Sequence, residues 1–126
     1  LGWNEVGKEV TVGDVFKDGE IVDVSGVSIG RGFQGVVRRH HMKGQPMTRG
    51  THEVRRHVGA IGCRKFPGRV FKGQRMPGRM GGDNVTVQNL EVVGVKPEEN
   101  ILLVKGGIPG ARGSLVVIRK AIKGGK

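Results

Sequence analysis

Between Gly30 and Gly82 the chain holds only six Val, Ile or Leu in 53 residues, and among them no Leu, beside 12 Gly and three Pro (Pro46, Pro67, Pro77). A segment so poor in apolar side chains cannot bury enough surface to offset the entropy of its own ordering. Alone it is expected to be disordered, and to order only against another surface. The chain that follows is the opposite. Between Asp83 and Ile122, 16 of 40 residues are Val, Ile or Leu, so the core is expected in the flanks.

Charge divides the chain along the same boundaries. The whole chain carries +11, yet residues 1–29 are net −4 and residues 83–126 only +3, leaving +12 on residues 30–82. The cations there are Arg31, Arg38, Arg39, Lys43, Arg49, Arg55, Arg56, Arg64, Lys65, Arg69, Lys72, Arg75 and Arg79, against the single acid Glu53. Such an excess repels itself and gains by displacing counterions from a polyanion. Arg outnumbers Lys ten to three. Its planar fork pairs bidentately with phosphate and stacks on bases, which suits folded RNA. Duplex DNA is usually read by a regular helix or ribbon, and the Gly- and Pro-broken chain offers none. Glu53, set among Arg49, Arg55 and Arg56, is expected to be neutralised by them.

The flanks read as strands. Val85-Thr86-Val87-Gln88 alternates, Leu90 to Val95 is rich in β-branched residues, and Ile101-Leu102-Leu103-Val104 and Leu115 to Ile118 are short apolar runs. Lys96 to Asn100 and Pro109 to Gly113 supply turn residues between them. Upstream, Val10-Thr11-Val12 and Ile21-Val22-Asp23-Val24 read as strands around Asp18-Gly19. The expected fold is mainly β: an antiparallel β-barrel of residues 1–29 and 83–126, with residues 30–82 inserted between strands as a long, irregular basic extension.

The stretch Gly30-Arg31-Gly32-Phe33-Gln34-Gly35-Val36-Val37 matches the spacing of a dinucleotide-binding turn and of a kinase glycine-rich loop. Neither reading survives. A dinucleotide fold needs a long crossover helix and an acid about 20 residues on. Here Phe33, Val36, Val37 and His40 can share only a short helix before Gly44 and Pro46, and Glu53 is the only acid available. No other kinase motif follows, and 126 residues cannot hold a kinase domain. Cys63 stands alone, which excludes an intrachain disulfide and points to a reducing compartment. With His40, His41, His52 and His57 it makes no zinc spacing and no recognisable catalytic pair. The His residues are instead expected to hydrogen-bond backbone or RNA, and Met42, Met47, Met76 and Met80 to pack between turns. No metal, cofactor, small-molecule substrate or catalytic residue is expected, and no run is apolar enough to span a membrane. The opening Leu1-Gly2-Trp3 lacks Met and reads as that of a fragment.

Three stretches carry a family resemblance. They are Gly30 to His40, Gly68-Arg69-Val70-Phe71-Lys72-Gly73-Gln74-Arg75-Met76-Pro77-Gly78-Arg79-Met80-Gly81, and Val85 to Leu90, joined by Leu102 to Gly106 and Ile108-Pro109-Gly110. Together they resemble the universal large-subunit ribosomal protein number three, of bacterial or organellar type, from about Val22 to Ala121. The resemblance implies a structural protein of the large ribosomal subunit. It would bind large-subunit rRNA, touch neighbouring ribosomal proteins, act early in assembly, and sit in the cytoplasmic ribosome of a bacterium or in an organellar one. It also implies a barrel with a further N-terminal strand, incomplete here, and an extension reaching toward the peptidyl transferase centre. The rRNA-binding residues would be the 13 cations above with His40, and the extension tip would include Gly59, Gly62 and Cys63. At the tip, Gly59 and Gly62 are expected to take backbone conformations closed to other residues. Two positions depart from the family pattern: Val58 stands where many members have Pro, and Cys63 where some carry a methylated Gln.

Overall fold

The computed structural model describes residues 6–124; the opening Leu1-Gly2-Trp3 lies outside them. The protein is mainly β, with antiparallel sheets, and divides into two units: Leu1–Ile29 with Asn84–Lys126, and Gly30–Asp83.

The first unit is a four-stranded antiparallel sheet in the order β5-β4-β1-β6. Its strands are β1 (Ile21–Val27), β4 (Asn84–Lys96), β5 (Ile101–Lys105) and β6 (Val116–Lys120). β1 is central, paired with β4 from Ile21↔Glu91 to Val27↔Asn84 and with β6 from Val22↔Lys120 to Gly26↔Val116. Val22, Val24 and Val92 form the buried cluster, with Phe16, Leu90, Val95, Leu102, Val104, Val116 and Ile118 packed against it.

Two irregularities bend β4, whose two apolar runs form one strand of 13 residues. Val22 faces Leu90 and Val24 faces Val87, so two residues of β4 oppose Asp23 alone. Asn89 takes φ 59° there, and the buried Asp23 carboxylate accepts its backbone N–H at 2.9 Å. The acid inside an apolar strand thus satisfies an amide that the bulge removes from the ladder. Between Val92↔Val104 and Gly94↔Leu103, Val93 is the extra residue. The turn before β1 is fastened to the same strand: the Gly19 N–H donates to the Val92 carbonyl, the Val92 N–H to the Glu20 carbonyl, and the Val95 N–H to the Asp18 carboxylate at 2.7 Å.

Two expectations are corrected. Val10-Thr11-Val12 is not a strand; Val12–Val15 forms a single helical turn, α1. The Asp14 carboxylate accepts the Thr11 backbone N–H at 3.0 Å and the Thr11 hydroxyl at 2.8 Å, which fixes a helix start and outweighs the β propensity of three residues. The sheet is also not a closed barrel among the described residues, because β5 and β6 each pair on one side only. Four strands cover too short an arc for the outer two to meet.

The second unit begins and ends with an antiparallel pairing of β2 (Gly32–Gln34) with β3 (Gly78–Met80). After β2 comes α2 (Val36–His40), stopped by His41 in the left-handed region at φ 57°. Val36 is the one buried side chain among the described residues of this unit.

Glu20 sits where β1 and β6 meet. Its carboxylate accepts from the Lys120 ammonium at 2.9 Å and from the Lys17 backbone N–H at 3.2 Å, and these, Lys120 foremost, hold it below its ordinary value of 4.5. A depressed carboxylate stabilises the fold fully above its unfolded value, and that contribution disappears as pH falls through the folded value. Glu20→Gln should therefore flatten the stability profile below about pH 4.5 in urea titrations, by a small amount because Lys120 is largely in water. A profile identical to that of the unaltered chain would exclude the bridge.

Candidate nucleic-acid interface

The second unit presents its cations outward. Of the 13 Lys and Arg named above, 12 are exposed, and only Arg39 is half-buried. They are distributed along the whole segment. Arg31 precedes β2, where its N–H donates to the Met80 carbonyl at 2.9 Å. Arg38, Arg39 and His40 lie on α2, and Arg79 on β3. Lys43, Arg49, Arg55, Arg56, Arg64, Lys65, Arg69, Lys72 and Arg75 occupy irregular chain.

Arg39 and His40 are used differently from the rest. Arg39 Nη1 donates to the Met76 carbonyl at 2.8 Å, and His40 Nε2 lies 3.0 Å from the same oxygen. Both therefore tie α2 to the chain entering β3. The guanidinium of Arg39 lies over Gly78, and a Cβ there would make it move from its place against the Met76 carbonyl. In a unit with almost no core, the Met76 carbonyl held by the Arg39 guanidinium takes over part of the work of packing.

A second fastening lies just after α2. Gly44, at φ 72°, brings its chain against Arg55 so closely that a Cβ would stand 2.8 Å from the Arg55 carbonyl oxygen. The Gln45 N–H donates to that oxygen at 2.9 Å. This approach brings Lys43, Arg55 and Arg56 around a cleft of about 390 Å³ with apolar walls from Val37 and Met47. A neighbouring cleft of about 500 Å³ is bounded by Val54, Val58 and Pro77 with His57, and Arg56 lines both. Sequence patterns identify these cations but not their grouping, because only the glycine at 44 marks the approach.

The tip differs from expectation at one glycine. Gly59 does take a left-handed φ of 83°, but Gly62 does not; its constraint is the Arg69 carbonyl, 3.2 Å from where a Cβ would stand. The chain turns back between them, the Gly68 N–H donating to the Cys63 carbonyl at 3.2 Å. Cys63 itself is exposed. Arg69 lies over the Phe71 ring at 5.5 Å from its centroid. Glu53 pairs with His52 at 3.8 Å, both largely in solvent, rather than with the arginines around it in sequence. Among the described residues, no three His, Cys, Asp or Glu are grouped to hold a metal, and no helix is long and apolar enough to cross a membrane.

An antiparallel β unit and a weakly cored unit that exposes its cations define a mainly β, basic protein in which no metal-holding group is found among the described residues. The chain belongs to the ribosomal protein L3 family, whose profile, described as "Ribosomal protein L3", matches residues 2–98. It is 56% identical over 119 residues to the "Large ribosomal subunit protein uL3" of Acidothermus cellulolyticus, covering 94% of this chain and 53% of that protein. The protein of the same name from Bacillus thuringiensis is 57% identical over 119 residues, covering 94% of this chain and 55% of the relative. That from Bacillus anthracis matches to the same extent. The chain spans about half the length of the curated relatives it matches. The family is one of structural ribosome components rather than enzymes.

The backbone clamp is testable at a single position. Gly44→Ala should speed hydrogen exchange of the Gln45 amide by about tenfold, since a side chain at this φ is strained and meets the Arg55 carbonyl. Gly50→Ala, where a Cβ meets only the Thr48 hydroxyl at 3.9 Å, should leave that amide unchanged. Equal effects of the two substitutions would remove the clamp from the account.

Proposed function

We propose that this chain is the rRNA-binding portion of a structural large-subunit ribosomal protein, with no catalytic residue and no cofactor of its own. It binds and organises large-subunit rRNA, supports assembly of the subunit, and reaches toward the peptidyl transferase centre through the tip at Gly59, Gly62 and Cys63. The observation that carries this reading is the exposure of 12 of 13 cations on a unit with a single buried side chain. Such a surface has little to gain from its own packing and much to gain from neutralising phosphates. Family membership supports the partner: the relatives' names place them in the large ribosomal subunit.

Residues 30–82 act in this reading as the basic extension, and Arg31, Arg38, Lys43, Arg49, Arg55, Arg56, Arg64, Lys65, Arg69, Lys72, Arg75 and Arg79 contact RNA. Arg39 and His40 border the interface while holding Met76. The open sheet belongs to a barrel that strands of the full-length protein complete against β5 or β6, and neighbouring ribosomal proteins are further partners. The ribosome concerned is bacterial or organellar.

The chain should co-sediment with large subunits through a high-salt wash, which a loosely associated RNA chaperone does not survive. Binding to large-subunit rRNA fragments should weaken steeply with salt. Neutralising Arg75 and Arg79 together should lower the slope of log affinity against log salt by up to about two, roughly one per lost contact. Neutralising Lys120 and Lys123 should lower it less. A slope that responds to the second pair and not to the first would move the RNA surface to the β unit.

A further inference from the structure

Two clefts of the second unit that share Arg56, the first lined in part by Val37 of α2, have a composition that phosphate neutralisation alone does not require. A surface that only tracks a phosphate backbone needs cations on a ridge or groove. Here the cations Lys43, Arg55 and Arg56 stand around a recess whose walls are Val37 and Met47, and the second recess is walled by Val54, Val58 and Pro77. Met47 is 83% exposed and Val54 39%. Apolar side chains left open between cations gain free energy when a flat, weakly hydrated surface covers them. A nucleobase is such a surface and arrives with its own phosphate, which matches the cations.

Size and spacing narrow the occupant further. Volumes of about 390 and 500 Å³ lie at the lower end of ordinary small-ligand sites and admit a base with part of its sugar, not a duplex. Arg56 lines both recesses, so no more than one side chain separates them. Successive nucleotides of an unstacked strand stand about one long side chain apart, with a phosphate between. The recesses are also framed: the Gln45–Arg55 backbone bond and the left-handed Gly44 hold one wall, and Arg39 and His40 tie α2, which carries Val37, to Met76.

Resting on the rRNA-binding reading and extending it, we propose that the two clefts capture two consecutive unpaired nucleotides of RNA, one base in each, with Arg56 at the phosphate between them. The apolar walls, Val37 and Met47 in one recess and Val54, Val58 and Pro77 in the other, meet the faces of the bases rather than their edges. What this arrangement selects is the unpaired, splayed state, the state in which proteins most often recognise RNA.

The test uses the whole chain and two RNA hairpins of equal length. One is fully paired; the other carries a bulge of two adjacent nucleotides, each replaced in turn by a fluorescent adenine analogue. The bulged hairpin should bind about tenfold tighter, comparable with covering one Met-sized side chain, and the analogue should change its emission at both positions. Arg56→Gln should make the two hairpins bind alike, and Met47→Ala should remove the emission change at one position while keeping it at the other. Arg75→Gln, outside the clefts, should weaken binding to both hairpins equally. If the unaltered chain binds both hairpins equally and salt-dependently, the clefts do not capture bases although the rRNA reading stands. If it binds neither, both readings fall.

Discussion

Strand β1 is hydrogen-bonded along both edges, to β4 and to β6, and two of its side chains, Val22 and Val24, lie with Val92 in the buried cluster. Residues from β4, β5, β6 and the turn containing Phe16 all pack on that cluster. The last rung of the β1–β4 ladder, Val27↔Asn84, is also where the chain departs into and returns from the second unit. The entropy of closing so long an excursion rises only slowly with its length, so a strongly paired ladder tolerates it. The apolar residues missing from residues 30–82 are concentrated in the strands that close this loop.

The second unit is stabilised by other means. Its order rests on backbone approaches and on side chains that reach carbonyls: the Gln45 N–H to Arg55, the Gly68 N–H to Cys63, the Arg31 N–H to Met80, and Arg39 and His40 to Met76. Each such bond is worth only about 0.5–1.5 kcal/mol net, or up to about 3 where a charge takes part. A unit assembled from them has little to offset the repulsion among its cations. In the proposed reading a polyanion removes that repulsion and covers the exposed apolar side chains, so that binding and ordering form a single process.

What could be read from sequence follows from how locally each feature is determined. β1, β4, β5 and β6 are legible because their apolar residues repeat at strand spacing and turn residues separate them; of the four residues expected on one helix face, Val36, Val37 and His40 lie on α2, whereas Phe33 lies on β2 and is exposed. Val10-Thr11-Val12 misleads, since three residues favour a strand while the Thr11–Asp14 pair, three apart, fixes a helix start. That spacing was the available signal. The role of Asp23 was not legible, because it depends on a bulge at Asn89 that lies 66 residues away. For the interface, the charge tally identifies the cations, but not that Arg39 and His40 are turned inward to Met76, nor that Lys43, Arg55 and Arg56 share a cleft. Gly62 shows the same limit: its neighbour, Arg69, is brought near by a turn that composition does not specify.

Ordering of the second unit by RNA is the claim on which the whole account turns, and amide hydrogen exchange measured with and without an rRNA fragment tests it most directly. Amides of β1, β4 and β6 should be protected to the same degree in both states. Those of residues 30–83, with Gln45 and Gly68 as reporters, should be only weakly protected in the free chain, Gln45 by little more than the roughly tenfold its clamp supplies, and slow by at least about a hundredfold further on binding. Equal protection of residues 30–83 in the two states would contradict the account, since the unit would then be held by its own interactions.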